Sequence, residues 1–221
     1  AALGKGGALD RVSSFLAVVG FSLPSFVLGV WLLVIFYGAF GIAPAPGRLS
    51  QENEILLVTG AIKRITGLLT IDALLSRQWS ILFDALAHLV LPVITLSLVS
   101  TATVLKVMRS SLLEVLGSDF IRTARAKGLS EAAVNIKHAR RNALLPVTGL
   151  ATMVVLGLVG GSVIVETIFA FPGIGSWVAK ASSTYDYAGV LGFAVVTAII
   201  VIAANLIVDI LYGILDPRVR L

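Results

Sequence analysis

Apolar residues in this chain come in long uninterrupted runs, and charged residues are confined between them. Four stretches contain no Asp, Glu, Lys or Arg: Val12–Phe40, Ala85–Leu105, Asn142–Val165 and Tyr187–Val208. Each is long enough to cross a hydrocarbon core as a helix, which takes about 20 residues. None shows the alternation of a barrel strand. The pattern predicts four transmembrane helices, over about 12–40, 81–108, 144–169 and 188–212, in a single domain of residues 1–221. Pro24 lies within the first and predicts a kink. Ala43–Gly47, with two prolines, marks its exit. The apolar residues of Ile55–Leu75 are broken by Lys63, Arg64 and Asp72. That segment is too interrupted to span, and reads as helices lying at the membrane interface or capping a mouth.

Composition agrees. Of 221 residues, 57% are apolar without counting glycine and 13% are charged; a soluble domain carries about 25% charged residues. With a mean hydropathy of +1.00, the solvent for most of this surface is lipid, and the fold class is an all-α polytopic membrane protein. A cytosolic enzyme, a disordered tail and a free nucleic-acid-binding domain are excluded. There is no cysteine, hence no disulfide framework, thiolate metal site or thiol nucleophile. The first apolar stretch is too long for a cleaved signal peptide, and no small-residue cleavage site opens onto a polar domain. The chain starts without Met on a small polar piece, which is expected of a fragment or a processed chain whose earlier part is missing.

The net charge of +5 matters through its placement. Lys106–Arg141 holds eight basic residues against three acids, and the positive-inside rule puts it in the cytoplasm. Both ends of the chain then lie inside as well. Twelve basic residues fall inside and five outside, namely Arg48, Lys63, Arg64, Arg77 and Lys180.

Candidate chemistry is sparse. The two histidines, His88 and His138, fall in different predicted compartments, so no metal site is expected and no cofactor. No phosphate loop is present, so the chain is not expected to bind ATP by itself, and no catalytic constellation can be argued from spacing. Asp84 and His88 share a helical face. Ionisable groups at membrane depth point to function, but both lie near the outer end of the second span, where a bonded pair would simply position the helix end. Asn205 and Asp209 stand in the same relation at the inner end of the fourth span.

The most informative stretch is the loop 109–143. Residues from Asp119 form a short helix that Gly128 ends. Ser130 can cap the next helix, with Glu131 in its first turn, and Pro146 marks re-entry. The product is a basic helix–glycine–helix elbow on the membrane surface. A positive-inside loop touching only headgroups would explain its charge but not its architecture.

At this segment the chain resembles the inner-membrane permease subunits of ABC importers that depend on a binding protein, and in particular the dipeptide/oligopeptide/nickel branch. The likeness is carried by Met108–Leu129, by His138–Pro146, by Val165–Gly175 (Val-Glu-Thr-Ile-Phe-Ala-Phe-Pro-Gly-Ile-Gly) and by Asn205–Arg218, with weaker matches at Ser22–Phe26, Ile65–Gly67 and His88–Pro92. Arg122-Thr-Ala124 stands where the general motif has a glutamate, and the Gly128-to-Pro146 interval is longer than in that motif; both are usual in the peptide branch. Family members usually have six spans, and the first two have no counterpart here.

The resemblance implies a type I importer permease fold and no enzymatic activity of its own. The helix before Gly128 would be a coupling helix, with Arg122, Thr123, Ala124, Arg125, Ala126, Lys127 and Gly128 at the ATPase contact. Arg122, Arg125 and Lys127 would supply charge, and Ala124 and Ala126 would permit close approach. Glu166, Phe169, Pro172, Gly173 and Gly175 would line or cap the outer mouth. Expected partners are ABC ATPase subunits, a second homologous permease subunit, a periplasmic or lipid-anchored substrate-binding protein and membrane lipid, with no nucleic acid. The expected role is peptide import at the inner membrane. Nickel chelates, opines or glutathione are alternative cargoes, and a stand-alone secondary transporter is an alternative mechanism whose mid-membrane charges are not seen.

Overall fold

The structure, a computed structural model, describes residues 23–60 and 65–215, with the side chains at 160–162 and 215 left aside. The predicted first span before Leu23, Lys63 and Arg64, and the tail from 216 lie outside those residues. The described residues form helices α1 Ser25–Leu32, α2 Gln51–Val58, α3 Leu69–Leu75, α4 Trp79–Leu116, α5 Asp119–Ala126, α6 Glu131–Ala133, α7 Arg140–Ala143, α8 Leu145–Ile168, α9 Ile174–Ser183 and α10 Tyr187–Leu215. Two stretches, Leu33–Ala39 and Val134–Ala139, are π-helical. Among the described residues α4, α8 and α10 are long and apolar enough to cross a membrane, and Ser25–Ala39 is a shorter apolar helix.

Several expectations shift. Pro24 is not within a described helix: it stands in extended conformation as the N-cap of α1, where its missing N–H costs nothing. α4 runs eight residues past the expected end of the second span, through Arg109 and Glu114, so the first part of the 109–143 loop is helix. Its last turns are amphipathic, and Leu112, Val115 and Leu116 find partners beyond the span. Pro92 is accommodated inside α4, as spans tolerate when neighbouring groups serve the freed carbonyls. The apolar windows of α8 and α10 bury none of their residues within the protein. In water that surface would be prohibitive; in lipid it is the solvated face.

The chain divides into two compact units. One comprises residues 23–97 and 160–190; the other includes 98–159 and 191–215. In the first, Leu49, Leu57, Ala73, Ile81 and Ala85 form one small core, and Leu91, Val165 and Phe169, with Leu32, Leu33 and Phe36 against them, form another. Gly29 lets α1 come close: a Cβ there would sit 3.4 Å from both the Phe169 ring and the Thr95 methyl.

Polar ties in this unit are made by carboxylates. Asp84 Oδ2 accepts from Ser50 N–H (2.8 Å), Ser50 Oγ (2.8 Å) and Asn53 Nδ2 (2.7 Å), which fastens the start of α2 to α4. His88 Nδ1 lies 3.1 Å from the other oxygen of Asp84 and 2.8 Å from its carbonyl. The pair therefore positions a helix end. Asp72 accepts from Thr66 N–H, Thr66 Oγ1 and Gly67 N–H. The two Thr66 bonds chiefly hold its carboxyl below its ordinary value. Arg48 donates to both oxygens of Glu54, at 3.2 and 2.7 Å.

In the other unit, Thr152 Oγ1 donates to Asn205 Oδ1 (2.8 Å) and Tyr212 Oη to the Leu145 carbonyl (3.1 Å), joining α8 to α10. Gly149 lies beneath Tyr212, whose hydroxyl would have to shift to admit a Cβ there. Arg141 donates to the Ile214 carbonyl (3.0 Å), one of the acceptors a helix C-terminus leaves open.

Asp84→Ala removes the acceptor of three donors at once. It is expected to destabilise the fold by about 1–3 kcal/mol and to open the 48–58 segment to protease before global unfolding; Asp84→Asn, which keeps one acceptor oxygen, loses less. Thermal unfolding in detergent with limited proteolysis checks this, and equal resistance of all three proteins refutes it.

Candidate functional site

The elbow is built on a core of its own. Ile121 and Ala124 of α5 are buried against Val134 and Ala139, with Leu112, Val115 and Leu116 of α4 packed on them. Asp119 sits in the first turn of α5, where a negative charge suits the helix dipole. The opposite face, with Arg122, Thr123, Arg125, Ala126 and Lys127, is exposed. The end of α5 is a complete left-handed cap. Leu129 N–H bonds the Ala124 carbonyl (3.3 Å), Gly128 N–H bonds that of Arg125 (2.9 Å), and Gly128 has φ +76°. A Cβ at Gly128 would meet nothing within 4 Å, so glycine is demanded there by backbone conformation alone. Ser130 then caps the next helix, its Oγ accepting from Ala133 N–H at 3.3 Å.

Across this turn Arg125 Nε donates to Glu131 Oε1 at 2.8 Å and its NH2 group to Oε2 at 3.2 Å. This bidentate clasp closes the elbow over six residues. It holds the Glu131 carboxyl below, and the Arg125 guanidinium above, their ordinary values, the hydrogen bond being the larger cause in each case. Arg122 by contrast makes only a long, exposed contact of 3.5 Å to Asp119.

The seven elbow residues are thus brought together but do not share a face. Ala124 belongs to the inner core, so it shapes the elbow from behind and offers no surface for close approach; its position on the same stripe as Ile121 puts it there. Ala126 lies on the exposed face. Sequence reasoning missed Glu131 as a clasp and the exposed Phe120 and Leu129 beside the charges. The Arg-to-Glu spacing across a turn glycine was the available signal for the clasp.

The second predicted group forms one turn. α8 ends with Phe171 N–H on the Glu166 carbonyl (2.8 Å) and Ala170 N–H on that of Thr167 (3.3 Å), with Ala170 at φ +47°. The Glu166 side chain also acts on the next helix, its Oε2 accepting from Ser176 N–H at 2.6 Å. Ser176 is the third residue of α9, whose N-cap Gly173 has no side chain to offer, so α8 supplies the cap. Ser176 Oγ in turn accepts from Gly173 N–H at 3.1 Å. A Cβ on Gly173 would collide with the Glu166 carboxylate, and one on Gly175 would press on the Val163 backbone. Phe169 is buried and its carbonyl accepts from Gly47 N–H at 2.8 Å, while Pro172 is exposed. Beside it Pro44, Pro46, Gly47, His88, Leu91 and Phe169 line a cavity of about 10 Å³. Among the described residues no group of three or more His, Asp or Glu could hold a metal.

The profile of the family described as "binding-protein-dependent transport system inner membrane component" matches residues 1–221. The chain belongs to that family. It is 39% identical over 220 residues to the dipeptide transport system permease protein of Escherichia coli (strain K12), and 41% identical over 220 residues to the di/tripeptide transport system permease protein of Pseudomonas aeruginosa (strain UCBPP-PA14). To the oligopeptide transport system permease protein of Bacillus subtilis (strain 168) it is 35% identical over 212 residues. These alignments cover 100%, 100% and 96% of the chain, and 64%, 63% and 59% of the three relatives, so the chain spans less than two thirds of the relatives it matches. This member of the permease family is a multi-pass membrane protein, and its relatives are those of the peptide branch that its motifs resemble. The glycine-ended elbow and the glycine-packed turn are therefore features of a permease-family chain.

The two glycines of the turn are expected to behave differently. Gly173→Ala clashes with a side chain, so its loss of about 1–3 kcal/mol is partly relieved by Glu166→Ala. Gly175→Ala clashes with backbone and gains nothing from that second change. Ala170→Gly, which removes left-handed strain, raises stability by up to about 1 kcal/mol. Thermal unfolding of the single and double variants checks the set.

Because its folded pKa is depressed, Glu131 keeps the clasp closed through the ordinary carboxylate range and releases it only as pH falls through the lowered value. Carboxyl NMR titration of Glu131 is expected to show a midpoint below 4.5 that returns toward it in Arg125→Gln. An identical midpoint in both proteins refutes the clasp.

Proposed function

We propose that this chain is part of the permease subunit of an ATP-driven importer, and that it forms half of a path for di- or oligopeptides handed over by an external binding protein. ABC ATPase subunits drive it through the 119–146 loop, and a second homologous permease subunit completes the path. Both ends of the chain are cytoplasmic. Family membership and the peptide-transport names of the relatives support the reading. The observation that carries it is the elbow: a basic outward face mounted on a dedicated core and braced across its turn. Motion can pass from one protein to another only through a part that resists bending, and neither a lipid-headgroup loop nor a stand-alone carrier needs such bracing. The mouth turn, fixed by Glu166, Gly173 and Gly175, would give the opposite opening a rigid rim. In this reading α4, α8 and α10 carry no engine of their own.

Gly128→Val places a β-branched residue at a left-handed position, at about 1–2 kcal/mol or more. Membrane insertion is expected to be intact, while substrate-stimulated ATP hydrolysis by the reconstituted complex falls about five- to thirtyfold or more, the factor that 1–2 kcal/mol makes. Unchanged stimulation and uptake would show that the elbow does not couple.

Orientation is tested separately. Cysteine at Ser130 is expected to be labelled only from the cytoplasmic side, and cysteine at Ser183 only from outside. The reverse pattern overturns the assignment.

A further inference from the structure

The segment 65–79 is inside out for water. Its acid, Asp72, is 2% exposed, and Ala73 is fully buried in the small core with Ile81 and Ala85. Leu69 packs on that core, but the segment's other large apolar side chains point away: Ile65, Leu68, Ile71, Leu74, Leu75 and Trp79 are 41–59% exposed. The Asp72 carboxylate is covered by its own segment, accepting hydrogen bonds from the exposed loop residues Thr66 and Gly67. Arg77 is the other charged residue of the segment. It stands at a helix end with φ +55°, and its long stem can carry the guanidinium back to water. A short helix in water that hides its carboxylate and shows its leucines would be the wrong way round. In hydrocarbon the same arrangement is the expected one.

The neighbours of this face indicate its cover. Only Ser76–Gln78 separate α3 from α4, a tether of about 10 Å at full extension. α3 therefore stays level with the end of a membrane-length helix. Trp79, Phe83, Leu86 and Val90 recur at helical spacing on the exposed side of α4, so the apolar face of α3 continues the surface that α4 turns to acyl chains. A soluble partner that docks and leaves would periodically bare six large apolar residues to water; a bilayer is always present.

We infer that residues 65–79 form an interfacial element, with α3 lying in the leaflet at the N-terminal end of α4 and Leu68, Ile71, Leu74, Leu75 and Trp79 among the acyl chains. The residue pattern alone is compatible with either the interface or a capping role over the mouth; the exposed apolar face of α3, tethered to α4 and continuing its exposed apolar side, decides for the interface.

The absence of cysteine allows direct labelling. Nitroxides are placed at Leu75→Cys and Ile71→Cys in the assembled transporter, in phosphatidylethanolamine–phosphatidylglycerol vesicles. Collision with oxygen, which concentrates in hydrocarbon, is compared with collision with a water-soluble nickel chelate. Oxygen is expected to dominate at both sites, as at Phe83→Cys, and the chelate at Ser183→Cys. Dominance of the chelate at Leu75 and Ile71 overturns the proposal, and so does suppression of both collisions, which would mean that protein covers the face. Should a cysteine variant fail to insert, Trp79 as the sole tryptophan (Trp31→Phe, Trp177→Phe) serves instead. Bromine on the acyl chains is expected to quench it, and the absence of quenching overturns the proposal.

Discussion

A helix end leaves backbone amides without partners, and near a bilayer there is little water to take them. The unit formed by residues 23–97 and 160–190 answers with carboxylates. Asp84 serves the start of α2, Glu166 the start of α9, Asp72 the loop before α3, and Asp186, through Gly189 N–H at 3.0 Å, the start of α10. These acids look like a transport pathway when only their rarity is considered. Their hydrogen bonds identify them as fasteners for helix starts and the loops before them.

The two predicted groups are made rigid in opposite ways. The turn from Glu166 to Gly175 relies on closeness: its glycines let a carboxylate and a backbone approach until an added Cβ would collide with them. The elbow has open space around Gly128 and relies on a left-handed cap, a serine cap and an ion pair laid across them. An exposed ion pair contributes little stability, about 0–1 kcal/mol, so its use is to fix an angle. The buried stripe of Ile121 and Ala124 supplies the holding force.

How much of this was legible in the sequence depends on how local each feature is. Charge-free runs located α4, α8 and α10 because span length is a property of consecutive residues. Gly128 and Ser130 were readable as a stop and a start for the same reason. The inward turn of Ala124 and the reach of Glu166 to Ser176 were not, since both depend on which segment packs against which. The extension of α4 to Leu116 was hidden because its last turns are polar enough to resemble a loop. The π-helical stretches leave no pattern that distinguishes them from α-helix in so apolar a chain. The first predicted span is seen only from Ser25 onward, with the residues before Leu23 outside the described structure.

The π-helical stretch Val134–Ala139 lies between the elbow and the first turn of α8. A π segment is an α-helix carrying surplus backbone. Each of its residues turns the chain by less than the roughly 100° of an α-helical residue, so the extra residue is absorbed with little change of phase between the helices on its two sides. Deleting one residue there would restore regular pitch and leave Arg141 directed at the Ile214 carbonyl that it now reaches. The stretch thus works as stored slack: the angular setting of the arginine pair, Arg140 and Arg141, survives the loss of one residue at that point.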